Sequence, residues 1–208
     1  MTKVNTTLVV AVCACMAITS PVLGSYMTYN GMGLSSQVRL HASGLLADNL
    51  KIPVGQLKVT HENTEYLAYC VDLNHYVKSA YVTEQDMNGI NNGDLVAWLY
   101  GTYAQSVTSG VEAAALNVAI WEVLYENDAT FDAGTGYFTV SENQSVLEQA
   151  NSLLASLVNL PSNYTPSNGI KVLHGDGVQD VVVPEPTSMV LLCAGAACLV
   201  AKRRIRRT

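Results

Sequence analysis

Positive charge is nearly missing from the body of this chain. Of 11 lysines and arginines in 208 residues, Lys3 stands at the start, and Lys202, Arg203, Arg204, Arg206 and Arg207 crowd the far end. Only Arg39, Lys51, Lys58, Lys78 and Lys171 remain for residues 25–183, against sixteen acids, a net charge of −11. So acidic a body argues against nucleic acid and anionic lipid as partners. Cysteine is as sparse. Cys13 and Cys15 lie near the start and Cys193 and Cys198 near the end, so Cys70 is alone in the body and no disulfide can form there. His41, His61, His75 and His174 are scattered with no His-x-x-x-His or Cys-x-x-Cys pair, so neither a metal site nor a cofactor is expected. There is also no internal repeat, no low-complexity segment and no glycine-rich oxyanion loop.

What the chain does have is an address at each end. Residues 1–24 read as a secretory signal peptide: Lys3, then an apolar core from Leu8 to Ile18, then Val22-Leu23-Gly24. That order predicts signal peptidase cleavage before Ser25. At the other end stand Pro184, Glu185 and Pro186, an uncharged apolar run from Met189 to Ala201, and the five-residue basic cluster. The run is shorter than the roughly 20 residues of a full span, although basic flanks can snorkel. Composition alone reads it as a marginal membrane anchor, the basic side staying inside. This order of parts resembles the PEP-CTERM sorting tail of exopolysaccharide-producing Gram-negative bacteria. The resemblance implies an exosortase-type membrane protease that cuts near Pro184–Pro186 and releases the protein outward. An ordinary single-pass anchor is the plainer alternative.

Between the addresses, residues 25–183 form one domain by length. Residues 25–36 read as a loop or an irregular first strand. Gln37–Leu46 and Gly55–His61 are β-compatible, and Thr64–Leu73 alternates as a strand, with Leu67, Tyr69, Val71 and Leu73 on its apolar face and Cys70 on the other. Helical period takes over in the middle. Asp94 is a candidate N-cap, and Val111–Glu126 carries the strongest apolar stripe. A third helix is expected to open on a capping box of Ser141 and Gln144. A hairpin closes the domain, Ile170–His174 and Val178–Val183 around Gly175-Asp176-Gly177. The predicted fold class is α+β, with β-strands at both ends of the domain around a central helical segment, plus a C-terminal transmembrane helix.

Two patches carry chemistry. Cys70 sits in Tyr69-Cys70-Val71-Asp72, and the central helix contains Leu116-Asn117-Val118-Ala119-Ile120-Trp121. Together they resemble the thioester domains of bacterial surface adhesins, which pair a strand cysteine with a helix motif of the form Thr-Gln-x-Ala-aliphatic-Trp. Ala119 and Trp121 match that motif, whereas Leu116 and Asn117 replace its Thr and Gln. The resemblance implies that Cys70 condenses with a glutamine from a late strand, and Gln179 is the candidate acyl donor. The internal thioester so formed is an electrophile that captures amines on a partner surface. It requires a dry site and a thiol held against the amide.

The function expected on these grounds is an exported surface or extracellular-matrix protein, acting in adhesion or matrix attachment and not as an enzyme. Its partner would be a protein amine or a polysaccharide. Two other readings stay open. One is a non-covalent structural matrix protein in which Cys70 is an inert, buried thiol. The other is a hydrolase with Cys70 as nucleophile and His75 or His61 as base. Trp98 and Trp121 read as core aromatics.

Overall fold

The computed structural model describes residues 24–126, 130–161, 163–166 and 169–185. Its centre is α2 (Gly110–Tyr125), in which every residue from Ala113 to Val123 is buried. Four of those residues are alanine and all the others but Asn117 and Glu122 are apolar, so the helix has no solvent face and must be covered on every side. Its start is fixed by a complete capping box. The Ser109 hydroxyl accepts from the Glu112 N–H at 3.2 Å, and the Glu112 carboxylate accepts from the Ser109 N–H at 3.1 Å.

The cover is mainly one antiparallel sheet. Its strands are β1 (Ser25–His41), β2 (Lys51–His61), β3 (Thr64–Cys70), β4 (Ala80–Asp86), β5 (Thr139–Ser141), β6 (Ile170–His174) and β7 (Val181–Pro184), in the order β2-β3-β7-β6-β4-β1-β5. β1 also pairs with β2, from Met27 opposite His61 to Arg39 opposite Lys51. The sheet therefore closes into a ring of six strands, with β5 added on the far end of β1. β1 serves three partners because it is long and bent, with register breaks after Tyr29 and after Met32. Two further helices, α1 (Gly93–Tyr103) and α3 (Gln144–Ala155), pack against α2.

Helix and sheet approach closely where side chains are missing. A Cβ on Gly110 would overlap the Ser35 carbonyl oxygen, and one on Gly55 would overlap that of Leu34 and stand 3.2 Å from the Ala113 methyl. Gly55 also holds φ at +143°, a conformation that side chains rarely adopt.

Several expectations are corrected. The strands do not flank a helical centre as two separate ends. β3 pairs with β7 and β4 with β6, so both ends of the domain merge into one mostly antiparallel sheet. The physical cause is α2, whose all-round apolar surface can be covered only by strands drawn from both halves. The C-terminal transmembrane helix is not found either. Among the described residues no helix is long and apolar enough to cross a membrane, and the run 189–201 lies outside them. The signal peptide, residues 1–24, lies outside them too, apart from Gly24. Residues 25–36 take the second of the two readings given for them, an irregular strand with register breaks, while β4 has no apolar alternation to reveal it. Ser141 belongs to β5, and α3 is capped instead by Asn143, whose side chain accepts from the Val146 N–H at 3.3 Å. α1 is preceded by Asn92 in a left-handed conformation rather than capped by Asp94. β3 is covered on both faces toward its end: Tyr69, Val71 and Leu73 of the expected apolar face are buried, but so are Tyr66, Ala68 and Cys70 of the other, and Leu67 is half exposed.

At its C-terminal end α2 carries Glu122, fully buried. One carboxylate oxygen accepts from the Asp132 N–H at 2.8 Å, and the other has no hydrogen-bond partner among the described residues. Burial pushes its pKa up to about 7, the nearby Glu126 and Asp132 charges adding to the rise against the Asp132 hydrogen bond. The folded state thus holds a proton on Glu122 that the unfolded chain releases at its ordinary, lower pKa. Stability falls as pH rises through that interval.

Two outcomes follow. Glu122→Gln flattens the loss of thermal stability between about pH 5 and pH 8 and raises the melting temperature at the upper end, read by calorimetry. Gly110→Ala destabilises by about 1–3 kcal/mol in chemical denaturation, because the new methyl meets backbone that cannot yield.

Candidate functional site

The site forms where β3 ends and β7 begins. Cys70 is the last residue of β3, opposite Val181 of β7. One rung further, the Val71 N–H donates to the Asp180 carbonyl at 3.0 Å. This pairing sets Gln179, just ahead of β7, beside the segment that follows Cys70. That segment turns back sharply. The Leu73 N–H donates to the Tyr125 hydroxyl at 2.8 Å, and the Asn74 N–H to the Asp72 carboxylate at 2.8 Å. The Gln179 N–H donates to the Tyr76 carbonyl at 3.2 Å, closing the loop over the glutamine.

The main-chain carbonyl of Asp72 is the focal atom. It accepts from the Cys70 thiol at 2.9 Å and from the Gln179 side-chain amide at 2.8 Å. Sulfur and amide nitrogen therefore stand no farther apart than the sum of those two bonds. The Asp72 N–H donates back to the Cys70 sulfur at 3.3 Å. Cys70 is buried, and burial pushes its thiol pKa well above the usual range against the opposing hydrogen bond from the Asp72 backbone. The sulfur is a neutral thiol, not a thiolate.

From below, α2 supplies two side chains one turn apart. The Asn117 amide, itself buried, donates to the Cys70 carbonyl at 2.9 Å. Trp121 lies under the sulfur, its buried indole N–H directed at the Cys70 thiol, a contact that opposes the rise in the thiol pKa. Its ring meets Phe138 edge to face, 6.3 Å between centroids. Ala119 is buried as well but lies about 200° around the helix from Asn117, so it packs and does not reach the site. Above the pair is a cavity of about 250 Å³ walled by Met32, Leu46, Leu50, Leu73, Tyr76 and Val77, which opens outward. The place is mostly apolar and reachable.

The histidines are held apart. His41 bonds Ser141, His61 bonds Ser25, and His174 bonds Asp180 at 2.9 Å. That last bond holds the His174 pKa above its ordinary value, while burial raises that of Asp180. His75 Nδ1 donates to the Asp72 carboxylate at 2.6 Å and the ring lines the cavity, but no histidine bonds the Cys70 sulfur among the described residues. There is no group of three His, Cys, Asp or Glu side chains placed to hold a metal ion among them.

Sequence reasoning singled out Cys70, Gln179 and Trp121, and these come together. It missed Asp72, Tyr125 and the contribution of Asn117. Only Asn117 had a signal, since it keeps a side-chain amide where the adhesin motif has glutamine. Gln179 sits in the loop before β7, not within a strand.

The sorting triplet begins inside the sheet. Pro184 is the last residue of β7, opposite Ile170. The Glu185 N–H donates to the Gly169 carbonyl at 2.8 Å, and its carboxylate stands 3.4 Å from Lys171, which also holds Asp86 at 2.7 Å. Pro186 and the basic cluster, Lys202, Arg203, Arg204, Arg206 and Arg207, lie outside the described residues.

Residues 182–207 match the PEP-CTERM protein-sorting motif. The motif implies export, transient anchoring at the membrane, and processing by an exosortase. No curated protein and no solved structure matches the chain.

Asn117→Ala leaves the Cys70 carbonyl buried without its donor. It lowers unfolding free energy by about 1–3 kcal/mol, measured by denaturant titration, and raises the rate at which Cys70 is alkylated in the native protein.

Proposed function

We propose that this exported, exosortase-processed protein is a covalent adhesin of the cell surface or extracellular matrix, armed by a thioester between Cys70 and Gln179. The observation that carries the reading is the shared acceptor: thiol and side-chain amide converge on the Asp72 carbonyl inside an apolar cavity. In the forming step the Cys70 sulfur attacks the Gln179 Cδ. The C–N bond breaks, and ammonia leaves with the thiol proton. In the capturing step an amine attacks the same carbon, the C–S bond breaks, and the thiol is restored as an amide forms. Each molecule acts once, so on this reading the protein is not an enzyme.

Burial serves both steps. It keeps water from the acyl carbon, and it keeps the sulfur from resting as an exposed thiolate that other reagents would consume. The partner is an amine presented by a surface or matrix component. Signal peptidase and the exosortase are the processing partners.

The test is the intact mass of the purified exported protein before and after methylamine. A gain of one methylamine, located at Gln179, with Cys70 alkylated in denaturant only after treatment, is the expected outcome. An unchanged mass, with Cys70 open to alkylation in denaturant from the start, removes the covalent mechanism. A matrix protein with an inert Cys70 would remain.

A further inference from the structure

The capture step leaves a proton unaccounted for by Cys70 and Gln179. An amine that attacks as a neutral base becomes positively charged at nitrogen, and the departing sulfur becomes negative in a place where burial disfavours charge. A group at the cavity must take the first proton and deliver one to the sulfur. We propose that His75, oriented by Asp72, is that group: it accepts the proton from the attacking amine as the Gln179 acyl carbon changes partners. The proposal rests on the thioester reading and goes further, because it gives the site its proton acceptor.

The placement supports it. One Asp72 carboxylate oxygen holds His75 Nδ1 at 2.6 Å, and the other is pinned by the Asn74 N–H at 2.8 Å, so the carboxylate cannot swing away. This bond fixes the ring and leaves Nε2 with no partner among the described residues. His75 lines the same cavity as Cys70 and Gln179, and its side chain is 47% exposed. Half-exposed and part of the cavity wall, the ring is open to an amine that enters from outside. Asp72 thus acts at both ends, its carbonyl gathering the reacting pair and its carboxylate aligning the base.

The balance is closed within the site. The amine N–H proton goes to His75 Nε2, the C–S bond electrons go to sulfur, and the imidazolium returns a proton to the sulfur directly or through one water. Imidazole and thiol end as they began. No oxidant, metal or second reagent is needed.

The charged and titratable groups around His75 are Asp72 and Tyr76 on its own segment, Cys70 from β3 and Tyr29 from β1. Asp180 and His174, from the β6–β7 side, lie behind Asp72. Of these Asp72 alone bonds the ring.

The experiment compares wild type, His75→Gln and His75→Ala. All three are first examined for the thioester by intact mass, then followed for the rate of methylamine capture. The expected result is an intact thioester in each, capture slowed about 100-fold in both variants, and recovery of His75→Ala by added imidazole. Capture at the wild-type rate, or a slow rate that imidazole leaves unchanged, overturns the assignment to His75 while the thioester stands. Loss of the thioester in both variants also overturns it, since His75 would then be needed for bond formation or folding. A wild-type protein without the ammonia deficit overturns the thioester and this proposal together.

Discussion

Everything in this domain answers to a helix that cannot touch water. Residues 113–123 of α2 are buried on every side, and a single sheet face or a pair of helices covers only part of such a surface. The sheet has to curl, which is why β1 is long, breaks register twice and pairs with β2, β4 and β5. The close approaches at Gly55 and Gly110 follow from the same demand. So does the placement of the site, because Asn117 and Trp121 are part of that buried surface and meet β3 from within.

The site shows how backbone can bring side chains together. Cys70 and Gln179 are distant in sequence, and no direct bond between them is needed to hold them near one another. Each bonds the Asp72 carbonyl, and the Asp72 N–H returns a bond to the sulfur. The β3–β7 pairing fixes one end of this arrangement, and Tyr125, reaching up from the last turn of α2, fixes the other. Core, sheet register and site are thus one continuous set of contacts. A fault in any of them moves the thiol relative to the amide.

Much of this could be read in advance, and the failures are instructive. The period of α2 was legible because its leucines and valines repeat strongly, and the closing hairpin because glycines flank Asp176. The sorting tail was legible from the order of its parts. The capping box was assigned to the wrong helix: Ser141-x-x-Gln144 and Ser109-x-x-Glu112 carry the same signal, and only pairing with Arg39 puts Ser141 in a strand. β4 was invisible because it buries almost nothing but Val82 and is held by its neighbours on either side. Alternation on β3 misleads only in part: Tyr69, Val71 and Leu73 are buried as it implies, but the opposite face, with the small Ala68 and Cys70, is covered too, and Leu67 is half exposed. The Asp72 carbonyl had no signature at all, since every residue has one.

The short distance from Gln179 to the end of β7 has a mechanical meaning. On the proposed thioester reading, a captured partner is held at Gln179, and the Cys70 sulfur is then free and carries no load. For as long as the C-terminal tail is anchored, tension between partner and membrane runs from Gln179 along β7 to Pro184 and Glu185. The rest of the domain hangs beside that line rather than within it. The pull is then carried by the covalent backbone of that one strand, and its ladder bonds to β3 on one edge and β6 on the other lie outside the load path. A small fold with no disulfide can therefore hold against drag that would unravel it if the force entered through its first strand.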